Sequence, residues 1–401
     1  MKTFEYQAFD AAGRVQKGLL EALDIKQARE KLSRDGLLAE KIAPAGELKR
    51  SLFRPAAFAV AERTIFYREL VALLGAGLPL VTALDLLIKS PDSGLTRPVL
   101  AALRDKIKEG AALAGALAIV CPTISSYEKA VIAAGERAAA LNTVLGRLAD
   151  FMDSQARLRD RLITALIYPA IVLSVAVAIA VGLLGFGVPR IAKVMLEVSH
   201  TTLPLLTRGM ISFGHFLVRG GLPALALALS AAGLWWRATK RDPERARNFN
   251  RRLFALPVIG RGYAMLVSLR FARTLSLLLN GGVSLVEALP LAGEATGSSW
   301  LASQVAMEAE AVRHGRNLAE MLRRIAPFSS LAGWVQVGEA SGELAPLLES
   351  AADRLEQQWD RFLTRRMSVL EPILILIIGV FVLLVVLAIL LPILTLNQRL
   401  R

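Results

Sequence analysis

The sequence has one cysteine, Cys121, and three histidines in 401 residues. A single cysteine excludes a fold built on internal disulfides, and the histidines do not occur at the spacing of metal ligands. No phosphate-binding loop motif is present, so ATP hydrolysis by that mechanism is not expected. The first ten residues lack the apolar run of a signal peptide, which predicts membrane entry at an internal segment.

Charged residues are scarce and unevenly distributed. They make up 20% of the chain against 54% hydrophobic residues, and they are absent from the windows 162–189, 220–236 and 372–398. Because a helix needs about 20 apolar residues to cross the hydrocarbon core, the first and third windows are long enough, and the second lies at the lower limit. We predict three transmembrane helices. The alternative is that a window forms a buried core helix.

The flanks of these windows carry the basic residues behind the net charge of +14. With the N-terminus inside, the 15 residues on either side of each window place thirteen Lys and Arg on the cytoplasmic side and six outside. The positive-inside rule therefore predicts a cytoplasmic N-terminus and an external C-terminus. The densest basic run, 237–252, is explained by topology and by anionic lipid, so we do not expect nucleic-acid binding.

The chain contains an internal repeat. Residues 66–87 align with 271–292 without gaps at an offset of 205, and eleven positions are identical. After a two-residue length difference the offset becomes 203. The pairs aligned at this second offset are Gly135 with Gly338, Glu136 with Glu339, and Pro169 with Pro372. Each repeat ends in an uncharged window, and two repeats of one orientation need a return crossing, which 220–236 supplies.

Each repeat has the pattern of short helices. Ile65, Phe66 and Leu70 belong to a helical stripe of apolar residues, and glycine turns containing Gly77 and Gly282 end the first helix of each repeat. Further helices are predicted near 96–108, 111–118 and 124–134, and a last one from about residue 141 into the membrane. The six helices predict an antiparallel bundle in each repeat.

The N-terminal 43 residues have a different pattern. Alternation at Phe4, Tyr6 and Ala8 predicts a strand, followed by a turn at 10–13 and a second strand at 14–21. Asp24 is expected to cap a helix that stops at Gly36. The expected core face of this helix consists of Ile25, Ala28 and Leu32. A third strand at 37–43 completes a small ββαβ module.

Two groups of residues are candidates for more than packing. Asp150 and Asp153 lie on one face of a predicted helix, and calcium prefers clustered carboxylates; the alternative is a solvated face. Pro169 and Pro372 occur early in their spans, where a missing N–H has little effect; the alternative is a hinge. Cys121 has no histidine or acid nearby in a recognisable arrangement, so we expect it to be a core residue.

Several segments together resemble a known family. They are RLITALIYP at 161–169, Val-Pro at 188–189, the Gly-Glu pairs at 135–136 and 338–339, and LLNGGVSLVEAL at 278–289. Over nearly the whole chain they are similar to the inner-membrane platform proteins of type II secretion and type IV pilus systems. The N-terminal stretch looks more like the general secretion pathway F protein than the pilus C protein. Gly187 departs from the larger apolar residue common in the family.

The resemblance implies a non-enzymatic, multi-pass protein of the bacterial inner membrane that forms homo-oligomers. It implies contacts with a cytoplasmic secretion ATPase, with other inner-membrane secretion subunits and with pseudopilins, in addition to the lipid bilayer. Calcium binding by the first cytoplasmic domain of some members makes Asp150 and Asp153 the nearest candidates for ligands. The residues expected to be structural or to mediate interactions are Gly77, Gly135, Glu136, Pro169, Gly282, Gly338, Glu339 and Pro372.

The predicted fold is mainly α, with three transmembrane helices, two homologous six-helix bundles and the small N-terminal module. The predicted segments are a module at 1–43, a linker at 44–60, a first bundle at 61–165, a first span at 166–188, a periplasmic segment at 189–219, a second span at 220–237, a second bundle at 238–370, a third span at 371–392 and a periplasmic tail at 393–401. A pilus platform is the nearest alternative. A transporter would usually have more spans and broken polar helices, and a membrane enzyme would need a nucleophile or metal cluster.

Overall fold

The computed structural model describes residues 2–9, 15–44, 58–90, 94, 96–190, 204–221, 243–257 and 259–399, with isolated positions between 223 and 233. The turn expected at 10–13 and most of the linker and of the second window lie outside the described residues. By contacts the chain divides into two compact units. The first comprises Met1–Arg157 and Ala264–Leu355, and the second comprises Leu158–Tyr263 and Glu356–Arg401. The domain boundaries drawn from the sequence stay predictions.

The N-terminal module has the expected ββαβ order. Its elements are β1 (Lys2–Phe9), β2 (Val15–Ala22), α1 (Ile25–Arg34) and β3 (Leu38–Pro44). β1 is the central strand and pairs antiparallel with both others. The Asp24 carboxylate accepts from the Gln27 N–H at 2.7 Å and caps α1 as expected, and Gly36 follows the helix with φ +73°.

The core face of α1 is narrower than expected. Ala28 and Leu32 are buried against the sheet, but Ile25 is 47% exposed. Ile25 is the first helical residue, and its side chain does not join the hydrophobic cluster that Phe4, Ala22 and Ala28 form. The prediction for Ile25 was therefore wrong.

The first bundle contains the six expected helices. They are α2 (Val60–Gly75), α3 (Leu80–Lys89), α4 (Arg97–Lys108), α5 (Leu113–Val120), α6 (Ser126–Arg137) and α7 (Leu141–Gly182). Phe66 and Leu70 are buried on α2, but Ile65 is 58% exposed. The buried face of α2 includes Arg63 and Thr64 in place of Ile65, so it is rotated about the helix axis relative to the predicted apolar stripe.

The module is attached to this bundle through α4. The backbone N–H of Thr3 donates to Asp105 Oδ2 at 2.7 Å. The Arg104 guanidinium donates to Thr3 Oγ1 at 2.6 Å and to Asp85 Oδ1 at 2.9 Å. One buried arginine thus joins the central strand of the sheet to two helices of the bundle.

The second bundle repeats the first. A short helix, α8 (Leu205–His215), and a basic helix, α9 (Pro243–Ala255), precede it in the chain. The six helices of the repeat are α10 (Ile259–Asn280), α11 (Leu285–Ala295), α12 (Ser299–Arg313), α13 (Leu318–Arg324), α14 (Ala332–Ser341) and α15 (Leu344–Arg399). A 3₁₀ turn at Ala326–Leu331 connects α13 to α14.

Three described helices are long and apolar enough to cross a membrane. The helix at Leu141–Arg190 and the helix at Leu344–Leu391 are each only 11% buried over their most apolar window. The third, Gly260–Asn280, is 61% buried over that window and is the first helix of the second bundle, so we interpret it as a core helix. Most of the window at 220–236 lies outside the described residues.

The prolines of the two apolar windows lie inside long helices. Pro169 is inside the 42-residue α7, and Pro372 is inside the 56-residue α15. Both prolines lie early in their apolar windows, but the expectation that a missing N–H has little effect there was wrong, because the helices of the bundles continue into the spans. A proline inside a helix removes one backbone hydrogen bond and favours a bend there.

The second unit has its own core at one end of the apolar helices. A π-helical segment at Leu183–Gly187 follows α7, and Leu184 and Val188 are buried there with Val385 of α15. Helix α8 packs on this cluster, and Thr207 Oγ1 donates to the Ala388 carbonyl at 2.8 Å. The buried Thr207 hydroxyl thus has a hydrogen-bond acceptor in its apolar surroundings, as buried polar groups generally do.

Candidate functional site

The Gly-Glu pair of the first bundle lies at the end of α6. The Glu136 carboxylate accepts from the backbone N–H of Leu113 at 2.5 Å and of Ala114 at 3.2 Å. These are the first N–H groups of α5, and the N-cap residue Ala112 offers no side-chain cap. The carboxylate therefore satisfies two free donors and interacts favourably with the positive end of the helix.

The second bundle repeats this contact. The Glu339 carboxylate accepts from the N–H of Leu318 at 2.6 Å and of Ala319 at 3.1 Å. Leu318 begins α13, and Asn317 at its N-cap makes no side-chain hydrogen bond there. Both predicted glutamates thus cap the α-helix that precedes their own in the chain.

The glycine of each pair permits a close approach. A Cβ at Gly135 would lie 2.9 Å from Val144 Cβ, and one at Gly338 would lie 2.9 Å from the Leu344 Cα. Both distances are shorter than real Cβ contacts allow, so the first turn of α7 or α15 fits only against a glycine. The pair therefore fixes where the long helix of each repeat begins.

Gly77 and Gly282 form the other repeated turn. Their φ angles are +82° and +83°, a left-handed conformation that glycine adopts without a steric penalty. They end the first helix of each bundle and set the direction of the second. The two repeats match closely at this turn, which supports a structural role for both predicted glycines.

A buried polar cluster distinguishes the first bundle, and the sequence did not predict it. The Arg63 guanidinium donates to both oxygens of Glu128, at 3.0 and 3.1 Å, and to the Phe58 carbonyl at 3.1 Å. Tyr67 Oη donates to Glu128 Oε2 at 3.2 Å. Ser125 Oγ also donates to this carboxylate, at 2.7 Å, so the buried charges are paired and hydrogen-bonded as burial requires.

Burial and the Glu128 charge shift the neighbouring pKa values. Burial would lower the pKa of Arg63, but its hydrogen bond with Glu128 and the charge of Glu128 outweigh that effect and raise it. The pKa of Tyr67 is raised well above its ordinary value, mainly by burial and in addition by the negative charge of Glu128. The same two causes raise the pKa of Tyr127 to about 12. All three groups therefore keep one protonation state near neutral pH.

The second bundle lacks this cluster. Continuing the alignment, Arg63 corresponds to Ser268, and Glu128 corresponds to Leu331 at the 203 offset. Ser268 Oγ donates to the Pro327 carbonyl at 2.6 Å, and Leu331 is buried. A signal was present in the sequence, since Ser125 and Glu128 have the spacing of a capping box, which the structure contains.

The predicted calcium ligands are ion-paired. Arg68 contacts Asp150 at 3.1 Å and forms a second ion pair with Asp153. The contact is duplicated, because Arg273 pairs with Asp353 at 2.7 Å. Among the described residues, no group of three or more His, Cys, Asp or Glu side chains could hold a metal ion. Calcium at Asp150 and Asp153 stays a prediction.

Polar contacts also join α7 and α15 near their prolines. Tyr168 Oη donates to Glu371 Oε1 at 3.4 Å, and these residues, which precede the two prolines, are aligned in the repeat. Arg161 of α7 pairs with Asp360 and lies 3.7 Å from Glu356. The two long helices are therefore linked at one aligned pair of positions, 168 and 371, and by the ion pairs of Arg161. The repeated residues therefore hold helices in position relative to one another within each bundle and between α7 and α15.

Comparison with known proteins agrees with this architecture. The family model of type II secretion system protein F matches residues 66–189 and 271–392, and that of its N-terminal domain matches residues 1–43. Type II secretion system protein F of Pseudomonas aeruginosa is 33% identical, with 99% of each chain covered. That of Vibrio cholerae is 30% identical at the same coverage. Type IV pilus assembly protein PilC of Thermus thermophilus is 32% identical, over 98% of this chain and 97% of the relative. The chain therefore belongs to the type II secretion system protein F family.

Proposed function

We propose that the protein is the inner-membrane platform of a type II secretion system and couples a cytoplasmic secretion ATPase to assembly of a pseudopilus. The observation that carries this proposal is the continuity of the long helices. α7 runs unbroken from Leu141 to Gly182 and α15 from Leu344 to Arg399. Because each helix belongs to a bundle at its start and to an apolar span further on, a tilt or twist applied to the start would be passed to the span along one continuous helix.

The proposed role needs no catalysis by this chain. Its partners would be the ATPase, other inner-membrane secretion subunits, pseudopilins and further copies of itself. The bundles lie on the cytoplasmic side in this proposal, as the distribution of Lys and Arg predicts. An outward direction for both long helices then requires the return crossing that 220–236 was predicted to supply.

A proline in the connecting part of α7 tests the proposal. Ala156 is exposed, so Ala156→Pro removes no core contact but interrupts the helix at a cost of about 3 kcal/mol. We expect normal membrane insertion, retained copurification with the ATPase and loss of secretion. Ala156→Ser at the same position is the matched control. Normal secretion by the proline variant, at equal protein level, would refute coupling through α7.

A pilus platform is the second candidate, favoured by the similarity to PilC over almost the full chain. The two functions are separated by deleting the gene and measuring the products of each system. Loss of an exported protein from the medium with pili intact supports the first, and loss of surface pili with export intact supports the second.

A further inference from the structure

The two bundles contact each other within the first compact unit. Helix α6 of the first bundle packs on α11 of the second. The Arg147 guanidinium donates to the Asn280 carbonyl at 2.9 Å, and a Cβ at Gly281 would lie 3.5 Å from Val131 Cγ1. The α6 face of the first bundle therefore covers the glycine-turn face of the second.

This contact joins different faces of the two repeats. If the two bundles were paired symmetrically, the contact would occur twice. The second copy would join α14, the counterpart of α6, to the glycine turn of the first bundle. Instead, the counterpart face on α14 is open: Val337 is 58% exposed, whereas the aligned Ala134 is 4% exposed. Gly333 is exposed as well, and its counterpart Ala130 is half-buried.

The glycine-turn face of the first bundle is open in the same way. Leu277 and Gly281 are buried in the second bundle, but their counterparts Ala72 and Ala76 are exposed. The chain thus presents both halves of the contact that it already makes internally. One half is the α14 face, defined by Gly333, Trp334 and Val337, and the other is the turn face, defined by Ala72, Ala76 and Gly77.

The two open faces are matched in chemistry. Residues 325–338, which include the α14 face, contain no charged side chain, and neither do residues 70–84, which include the turn face. One residue in five is charged over the whole chain. Apolar and small residues at both faces allow close backbone approach and favour burial from water.

We infer that a second copy of this chain docks its turn face onto the α14 face, repeating between chains the contact that joins the two bundles within one chain. A contact between different faces is heterologous, and it closes into a ring when the rotation permits. Each bundle is followed by an apolar helix, so a rotation about the membrane normal keeps all spans in one bilayer. Each chain would then fill two successive positions of the ring.

This inference specifies the homo-oligomer named in the proposed function, but it does not depend on the ATPase. Cross-linking in membranes tests it on the full-length chain with Cys121→Ser. One tagged copy carries Ala76→Cys, and a differently tagged copy carries Val337→Cys. A short bismaleimide should link the two tags, whereas two copies that both carry Ala76→Cys should not be linked. Arg147→Cys with Asn280→Cys in one chain, at the contact between its two bundles, is the positive control for the reagent.

Two results would overturn the inference. One is a cross-link in the control chain without any link between the differently tagged copies. The other is a dominant link between two Ala76→Cys copies, which would indicate a symmetric contact or a different face. Retained secretion and ATPase copurification alongside either result would leave the coupling proposal standing.

A charge substitution gives an independent measurement. Val337→Glu places a carboxylate on the α14 face at an exposed position, so the fold should be retained while the mass of the purified assembly falls to that of one chain. Met307→Glu is the matched control, because Met307 is 72% exposed on α12. An unchanged mass for the Val337→Glu protein would contradict the docking face.

Discussion

Replacing Glu136 with Ala removes the cap that α5 receives from α6. Two N–H groups lose a charged acceptor at 2.5 and 3.2 Å. Loss of an N-cap costs about 0.5–2 kcal/mol, and a hydrogen bond to a charged group contributes about 1.5–3 kcal/mol. Because Glu136 makes two such bonds but is only half-buried, we expect a loss at the upper end of the N-cap range, about 2 kcal/mol in the free energy of unfolding.

Thermal unfolding of the purified full-length protein measures this loss. For a cooperative unit of about 150–250 residues, about 2 kcal/mol corresponds to a decrease of roughly 4–8 °C in Tm. Glu339→Ala should also lower Tm, since its carboxylate accepts from two N–H groups in the same way, at 2.6 and 3.1 Å, but by less, because Glu339 is exposed. Glu136→Gln, which keeps an acceptor oxygen but loses the charge, should lie between the alanine variant and the unchanged chain.

The matched control is Glu310→Ala. Glu310 pairs with Arg313 on the surface, and both side chains are well exposed, so its loss should cost less than about 1 kcal/mol. If Glu136→Ala and Glu339→Ala lower Tm no more than Glu310→Ala does, the capping role of the Gly-Glu pairs is refuted.

Three further outcomes follow from the polar contacts. Arg63→Met leaves the Glu128 carboxylate buried without its partner and should cost about 3–5 kcal/mol, measured as a large decrease in Tm; a decrease no larger than that of a surface variant would contradict the buried pair. The raised pKa of Tyr127, about 12, favours the protonated phenol in the folded state, so its contribution to stability is complete below pH 10 and declines as the pH rises towards 12. Tyr127→Phe should reduce the loss of stability over that range, and an identical alkaline unfolding curve would count against the shift. Arg68→Ala removes the cation that pairs with Asp150 and Asp153, and calcium should then raise the Tm of the variant more than that of the unchanged chain, with magnesium as the control. Equal shifts would remove this pair as a calcium site.

The repeat and the helix boundaries were accessible from the sequence because they depend on local patterns. The last helix of the first bundle begins at Leu141, as expected, and Gly77 and Gly282 form nearly identical turns. The Gly-Glu pairs were recognised as repeated residues. Their contacts were not predicted, because the capped N–H groups belong to a different helix and meet the carboxylates only through packing.

Two expectations from the sequence, for Ile65 and for Pro169, were wrong. An apolar stripe predicted burial of Ile65, whereas the structure buries Arg63, because Glu128 on another helix satisfies its charge. Pro169 was expected to lose little from its missing N–H because it lies early in the apolar window. The helix starts well before that window, at Leu141, so Pro169 lies inside it and the missing N–H removes a backbone hydrogen bond. Pairing between helices across the bundle is a property of the three-dimensional packing.

The one-sided contact between the bundles affects how the two halves of the chain can diverge. In an assembly of identical chains that each carried one repeat, a substitution in the gene would change every bundle of the assembly. Joining two repeats in one chain removes that constraint, and Arg63 and Glu128 already differ from Ser268 and Leu331. Gene duplication would thereby convert a ring of equal positions into one with two alternating kinds. A partner that recognises one kind would bind at half of the positions, once for each chain.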